Sequence, residues 1–181
     1  PAAPAAPAAP RPMAEGLSES SYDGAYVGAD GRAYPRNTPI SQVPPVRPSD
    51  GRQPIGTVVY VNGIQTDKAT QVTSLQRIAD STGYQVVGIH NSTDGFFKDL
   101  TQCLGDKADI GTNPAVDQLA DTIYDSIKAG KPIHVMAHSQ GGLITSRALT
   151  HVAQRLRIED GMTRAQAQQA LSNVQVETFG A

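Results

Sequence analysis

A serine at the junction between a predicted strand and a predicted helix is the residue best suited to do chemistry. The short apolar run 133–136 opens after Pro132 and is typical of a buried strand. From Leu143 onward the apolar residues recur at helical spacing on one face. Ser139 lies between these elements, within the segment Ala-His-Ser-Gln-Gly-Gly at 137–142. A serine held clear of a sheet by such a turn can attack a carbonyl group when a base accepts its proton.

A tight turn at Ser139 requires small neighbours, because the strand and the helix approach each other closely there. Ala137, two residues before the serine, and Gly141, two residues after it, meet this requirement. The N–H of Gln140 would then face a developing oxyanion, supported by the positive end of the helix. The alternative is that Gly141 and Gly142 only end the strand and that Ser139 only caps the helix.

The segment around Ser139 resembles the nucleophile elbow of the α/β-hydrolases, with Ala137 where that pattern usually has glycine. The resemblance covers about residues 56–181 and implies an α/β fold of three layers, α/β/α, with a mostly parallel sheet. It also implies a serine hydrolase of the lipase, esterase or phospholipase type, which acts on an ester through an acyl-enzyme on Ser139. The last residues, 176–181, resemble the strand that precedes the acid and the histidine in lipases. We therefore expect the C-terminal strands of that fold to be missing from this chain.

The histidine that should serve as base for Ser139 is not evident in this sequence. In the family the order is nucleophile, acid, histidine. His151 follows the serine, but it lies about 18 Å along the same predicted helix. His138 occupies the variable position of the elbow and should point elsewhere, and His134 is interpreted as a core or sheet-face residue. We expect the acid and the histidine to lie beyond Ala181, and the chain alone to be inactive toward esters.

Other polar residues follow predicted strands at the same edge of the sheet, where ligands of parallel sheets bind. His90, with Asp94 close by in sequence, is either an unorthodox base or a polar residue lining a cleft. Asp94 alone is typical of a turn. The second oxyanion donor is expected from Gly63 or Ile64, after the first core strand. An Asn-Gly tight turn without a ligand is the alternative at that place.

Alternating strands and helices predict a parallel sheet with right-handed crossovers. Turn residues around Ala29-Asp30-Gly31 predict a hairpin ahead of this sheet, followed by an extended proline-rich wrap. Three regions result: a disordered Pro/Ala-rich linker at 1–24, the hairpin and wrap at 25–55, and the hydrolase-like domain at 56–181. The predicted strands are 56–62, 85–90, 133–136 and 174–181, and the predicted helices are 66–82, 96–104, 114–129, one from Leu143, and 163–170.

Composition narrows the classes of function. The net charge is −2 at pH 7 and charged residues make up 18% of the chain, without a basic stripe, so nucleic acid is not an expected partner. The sequence has no phosphate-binding loop and no metal-ligand cluster, so we expect no cofactor. Cys103 is the single cysteine, which excludes an intramolecular disulfide. No apolar run is long enough to span a bilayer.

Two classes of function therefore remain. The first is an ester hydrolase whose substrate is a lipid or another ester, with transient contact to a membrane surface. The second is a non-catalytic interaction module of a larger secreted or multi-domain protein, tethered through the Pro/Ala repeat at 1–12 or joined to further domains past Ala181. The second resembles the lipase-like domains of secreted bacterial effectors. The sequence leaves the compartment open.

Overall fold

The computed structural model describes residues 2–6, 8–62, 67–92 and 113–180. The described strands are β1 (Tyr26–Val27), β2 (Ala33–Tyr34), β3 (Thr57–Val61), β4 (Gln85–Ile89), β5 (Ile133–His138) and β6 (Val174–Phe179). The described α-helices are α1 (Lys68–Thr82), α2 (Pro114–Lys128), α3 (Gly141–Ile158) and α4 (Arg164–Leu171), with 3-10 turns at Glu19–Tyr22 and Ile40–Gln42. The strands form one mixed sheet in the order β2-β1-β4-β3-β5-β6. The last four strands in that order run parallel, which confirms an α/β fold.

Side chains that cap the helices set the helix boundaries, as the sequence predicts. Helix α1 begins after Asp67, whose carboxylate accepts the N–H of Thr70, and it ends at Gly83, which has a φ of 80°. The bond from Thr70 lowers the pKa of Asp67 because it stabilises the charged carboxylate. Helix α2 begins after Asn113, with Pro114 in its first turn. The predicted helix at 96–104 lies outside the described residues.

The sheet is covered on both faces, because successive residues of a strand point to opposite sides. Helix α1 packs on one face, and helices α2 and α3 pack on the other. The α1 face includes the buried residues Val58, Tyr60, Leu75, Ile78 and Val86. The opposite face includes the buried residues Val59, Val61, Val87, Leu119, Ile123, Val135, Ile144 and Leu156.

Strand β3 lies between β4 and β5, although the chain visits them in the order β3, β4, β5. The first crossover therefore leads to one side of β3 and the second leads to its other side. A parallel sheet opens a crevice at such a point, beyond the carboxyl ends of its strands. Asn62 follows β3 at this crevice and Ser139 follows β5. The topology thus brings the predicted nucleophile to the edge where ligands of such sheets bind.

The hairpin that the sequence predicts is present and extends the sheet. Tyr26 pairs with Tyr34 in the hairpin and with Ile89 of β4, in both cases antiparallel. The proline-rich wrap then returns along the sheet, where the N–H of Val46 donates to the carbonyl of Val86 at 2.9 Å. Within the described part of the chain, no helix is both long and apolar enough to cross a bilayer.

The expectation of a disordered linker over residues 1–24 is wrong for residues 13–24. The N–H of Met13 donates to the carbonyl of Ala33 at 2.7 Å. Tyr22 is 2% exposed, and its hydroxyl donates to the carbonyl of Ala14 at 2.9 Å. The buried ring of Tyr22 therefore packs this polar segment against the sheet domain. The sequence does not predict this contact, because a single tyrosine produces no hydrophobic periodicity.

Candidate functional site

The backbone at Ser139 is strained. Its φ is 51°, and among the described residues it is the one non-glycine residue with a positive φ. The left-handed region costs a residue with a Cβ atom roughly 1–2 kcal/mol. Strand β5 ends one residue earlier and α3 begins two residues later, so the turn is as tight as the sequence predicts. The side chain of Ser139 is exposed to solvent.

The neighbouring strands hold this turn in place. A Cβ atom at Gly141 would collide with the carbonyl oxygen of Val61 in β3, so no other residue fits there without a shift. Ala137 is fully buried and pairs with Val61. The N–H of Ser139 donates to the carbonyl of Phe179 in β6 at 2.9 Å. The strained turn is therefore fixed between β3 on one side and β6 on the other.

Two backbone donors lie beside the serine at the start of α3. Within the described part of the chain, the N–H groups of Gln140 and Gly141 have no hydrogen-bond acceptor, whereas the N–H of Gly142 donates to the carbonyl of Ser139 at 3.0 Å. Helix α3 has 18 residues, so its N-terminal end carries the positive part of a full helix dipole. This arrangement can stabilise an oxyanion. The other predicted donors, Gly63 and Ile64, lie outside the described residues.

No histidine among the described residues is bonded to the hydroxyl of Ser139. The ring of His138 packs against Phe179, with 5.3 Å between the ring centroids, so His138 does point elsewhere. His151 lies on α3 and lines a surface cavity with Arg36. His134 is a sheet-face residue whose Nε2 lies 3.4 Å from Glu177 Oε1.

His90 does not line an open cleft, because its side chain is completely buried. Its Nδ1 lies 3.2 Å from Oε1 of Gln71, and its Nε2 lies 3.2 Å from Oε2 of Glu19. Strand β3 separates β4 from β5, which places His90 about two strand spacings, or roughly 10 Å, from the end of β5. Both ring nitrogens thus face residues other than Ser139, and the reading of His90 as base gains no support. Asp94 lies outside the described residues.

Burial lowers the pKa of His90 below its ordinary value of 6.5. The carboxylates of Asp23 and Glu19 act in the opposite direction but have less effect, and the ammonium group of Lys68 lowers the pKa further. The folded chain therefore favours a neutral imidazole at this position, and protonation of His90 opposes folding.

We expect the free energy of unfolding to decrease as the pH falls below about 6.5, because the unfolded chain then binds a proton that buried His90 resists. The stabilising contribution of neutral His90 is fully present above pH 6.5 and is lost as the pH falls to the lower pKa of the folded state. The free energy of unfolding should change by at most about 1.4 kcal/mol per pH unit in this range. Urea unfolding from about pH 7.5 to about pH 5.5 measures the slope. The variant His90→Gln should show a shallower slope, and equal slopes would contradict the assignment.

Two exposed apolar side chains belong to the elements next to Ser139, and neither is a site residue predicted from the sequence. Leu143 on the first turn of α3 is 39% exposed, and Phe179 at the end of β6 is 42% exposed. The Phe179 ring also stacks on Tyr60, with 6.4 Å between the centroids. Both residues fit the apolar patterns of their elements, so the sequence does not show that their side chains are exposed.

Comparison with known proteins gives no match, whether to a protein-family model, to a curated protein or to a solved structure. The described residues form an α/β protein with a mixed six-stranded sheet. An exposed serine with a strained backbone lies at the carboxyl ends of its parallel strands. Among the described residues, no group of three or more His, Cys, Asp or Glu side chains is arranged to hold a metal ion.

Proposed function

We propose that this chain carries the nucleophile of a serine ester hydrolase, of the lipase, esterase or phospholipase type. The observation that carries the proposal is the positive φ of an exposed serine between a parallel strand and a helix. Strain of this kind persists only where the surroundings enforce it, and it concentrates at functional sites. The fixed turn, the small residues beside it and the two unpaired N–H groups support the same conclusion.

In the proposed reaction, Oγ of Ser139 attacks the carbonyl carbon of an ester while a base takes the hydroxyl proton. The N–H of Gln140 stabilises the oxyanion of the tetrahedral intermediate, together with a donor from Gly63 or Ile64. The alcohol leaves with the proton from the base. Water then gives a proton to the base and attacks the acyl carbon, the bond to Oγ breaks, and the acyl group leaves as a carboxylic acid while the base returns the proton to the serine. The base and its carboxylate partner come from polypeptide other than the described residues.

The proposed substrate class is an ester with an apolar acyl group, such as a lipid. Leu143, on the first turn of α3, and Phe179, whose carbonyl accepts the N–H of Ser139, expose apolar side chains that would contact the acyl chain of a bound ester. The same exposed side chains would make transient contact with a membrane surface that presents such esters. An acyltransferase or a thioesterase would use the same serine and donors.

A fluorophosphonate probe tests this function, because it forms a covalent adduct only with an activated serine. We expect the full-length protein to be labelled and Ser139→Ala to abolish the labelling. Ser146→Ala is the matched control, since Ser146 is exposed on α3, the helix that follows Ser139, and should label like the wild type. A folded full-length protein that is not labelled would contradict the proposal.

The second candidate function is a non-catalytic interaction module that uses the crevice or the sheet edge for binding. Two observations favour it: the hydroxyl of Ser139 meets no base among the described residues, and His90 is engaged by Gln71 and Glu19. This candidate predicts a folded protein without labelling and without ester turnover. The labelling experiment therefore decides between the two classes.

A further inference from the structure

A cavity of about 470 Å³ lies at the amino ends of the parallel strands, at the opposite end of the sheet from Ser139. Its volume is in the range of cavities that bind small molecules. Alternate residues of a strand share one face, so the strand residues that line the cavity all belong to the face covered by α2. These residues are Thr57, Val59, Gln85, Val87 and Ile133.

The proline-rich wrap covers this cavity and is held mainly at the two ends of the covering stretch. Within the described part of the chain, residues 37–42 form hydrogen bonds only with other residues of the wrap. Before this stretch, Arg36 forms an ion pair with Asp121 of α2, with 3.1 Å between Nη2 and Oδ2. After it, the carbonyl of Pro44 accepts the N–H of Ala29 at 2.7 Å. The cover can therefore move aside without breaking a hydrogen bond to the sheet or to α2, which gives a ligand a way in.

A second, more polar cavity of about 570 Å³ lies between the wrap and α2 and shares part of its lining with the first. The residues that line both cavities are Ile40, Ser41, Thr122, Ser126 and Lys131. The hydroxyl of Thr122 is engaged, because it donates to the carbonyl of Gln118 at 2.7 Å. The hydroxyls of Ser41 and Ser126 and the ammonium group of Lys131 have no partner within the described part of the chain. Three unpaired donors therefore lie where the apolar cavity meets the polar one.

The charges around this junction favour an anion. Among the described residues, Lys131 is the one charged side chain that lines the apolar cavity. The other two cations of the polar cavity, Arg36 and Arg155, both pair with Asp121, at 3.1 Å and 2.9 Å. The remaining carboxylate, that of Asp125, lines only the polar cavity. The free charge that borders the apolar cavity is therefore positive, and it attracts a negative group.

We propose that this junction binds a fatty acid. The carboxylate accepts hydrogen bonds from the hydroxyls of Ser41 and Ser126 and from the ammonium group of Lys131. The alkyl chain lies in the apolar cavity, against Val59 and Val87 of the sheet. A mostly apolar cavity with a few polar groups at one end is the type of site that fixes the orientation of such a ligand. The site lies at the amino ends of the strands, so the proposal does not depend on chemistry at Ser139.

Calorimetric titration of the full-length protein with decanoate, at concentrations where decanoate is monomeric, tests the proposal. We expect one site, with weaker binding of decanol and still weaker binding of decylamine. Lys131→Gln should weaken the binding of decanoate by about threefold and leave that of decanol unchanged, because decanol has no charge to lose. Lys128→Gln is the matched control, since Lys128 pairs with Asp160 at 3.3 Å and lines neither cavity. It should bind decanoate like the wild type.

A second pair of variants tests where the alkyl chain lies. Thr57→Phe adds a ring at the cavity and should weaken decanoate binding by at least about tenfold, because the ring takes the space of the chain. An aromatic residue suits a strand, and circular dichroism checks that the variant folds. Leu143→Ser, at the other end of the sheet, should leave decanoate binding unchanged.

Three results of these titrations would overturn the proposal. The first is a folded wild-type protein that does not bind decanoate, and the second is tighter binding of decylamine than of decanoate. The third is a loss of decanoate binding in Leu143→Ser but not in Thr57→Phe, because the ligand would then bind beside Ser139. None of these results depends on whether Ser139 is labelled by a fluorophosphonate.

Discussion

Gly141→Ala is expected to destabilise the chain by about 2 kcal/mol or more, because the new Cβ atom would meet a backbone carbonyl that cannot move aside. That carbonyl belongs to Val61, in the middle of the parallel sheet, where it is held by the strands on both sides. The helix that begins at Gly141 would have to shift away from β3. The turn at Ser139 would shift with it, and the labelling of Ser139 should fall by at least about tenfold.

Gly142→Ala is the matched control for Gly141→Ala, one residue further along the same helix. A Cβ atom at Gly142 has Thr178 Cγ2 as its nearest neighbour at 3.6 Å, which is an ordinary contact. Alanine also suits a helix better than glycine, by about 0.5–1 kcal/mol. We therefore expect Gly142→Ala to be neutral or stabilising. Urea unfolding measures the free energy of unfolding of both variants. Equal changes in that free energy for the two variants would show that the close approach of α3 to β3 is absent.

Ser139→Gly is expected to stabilise the fold while it abolishes the proposed activity. Glycine adopts a φ of 51° without the cost that serine bears, which is roughly 1–2 kcal/mol, and its greater flexibility in the unfolded chain removes about half of that gain. The net gain should be about 0.5–1 kcal/mol, which raises the melting temperature by about 1–4 °C in a chain of this size.

The variant Ser139→Ala distinguishes the effect of backbone strain on stability from the effect of the hydroxyl group on labelling. Alanine keeps the Cβ atom and the strain but loses the hydroxyl, so it should abolish labelling without raising the melting temperature. If Ser139→Ala and Ser139→Gly had the same stability, the strain relieved by glycine would be no larger than the entropic cost of glycine in the unfolded chain, about 0.5–1 kcal/mol. A strain that small would not support the inference that function maintains an unfavourable backbone conformation here.

The sequence predicted the parts of the fold that depend on local signals. Asn113 and Pro114 mark the start of α2, and Gly83 marks the end of α1, because capping involves residues within one helical turn. Thr163 and Gln166 form the predicted capping box ahead of α4. The turn at Ser139 is also marked by a local pattern of small residues. The structure has the tight turn and the close approach of Gly141 that the pattern of small residues implies.

Contacts between distant residues could not be predicted in this way. Glu19 contacts His90 although the two residues are far apart in the sequence. Neither residue belongs to a periodic pattern that would predict the contact. The exposure of Leu143 and Phe179 was missed for a related reason. Apolar residues at regular spacing indicate a face that can be covered, but the sequence does not show whether a neighbour covers it.

The measurement that tests the account most directly is the site of the fluorophosphonate adduct in the full-length protein. Trypsin should release the segment 129–147, which contains both Ser139 and Ser146, because the bond between Lys131 and Pro132 resists cleavage. Tandem mass spectrometry of this peptide then distinguishes the two serines within one molecule. The account predicts stoichiometric modification of Ser139 and none of Ser146. An adduct elsewhere in the protein, with Ser139 unmodified, would contradict it.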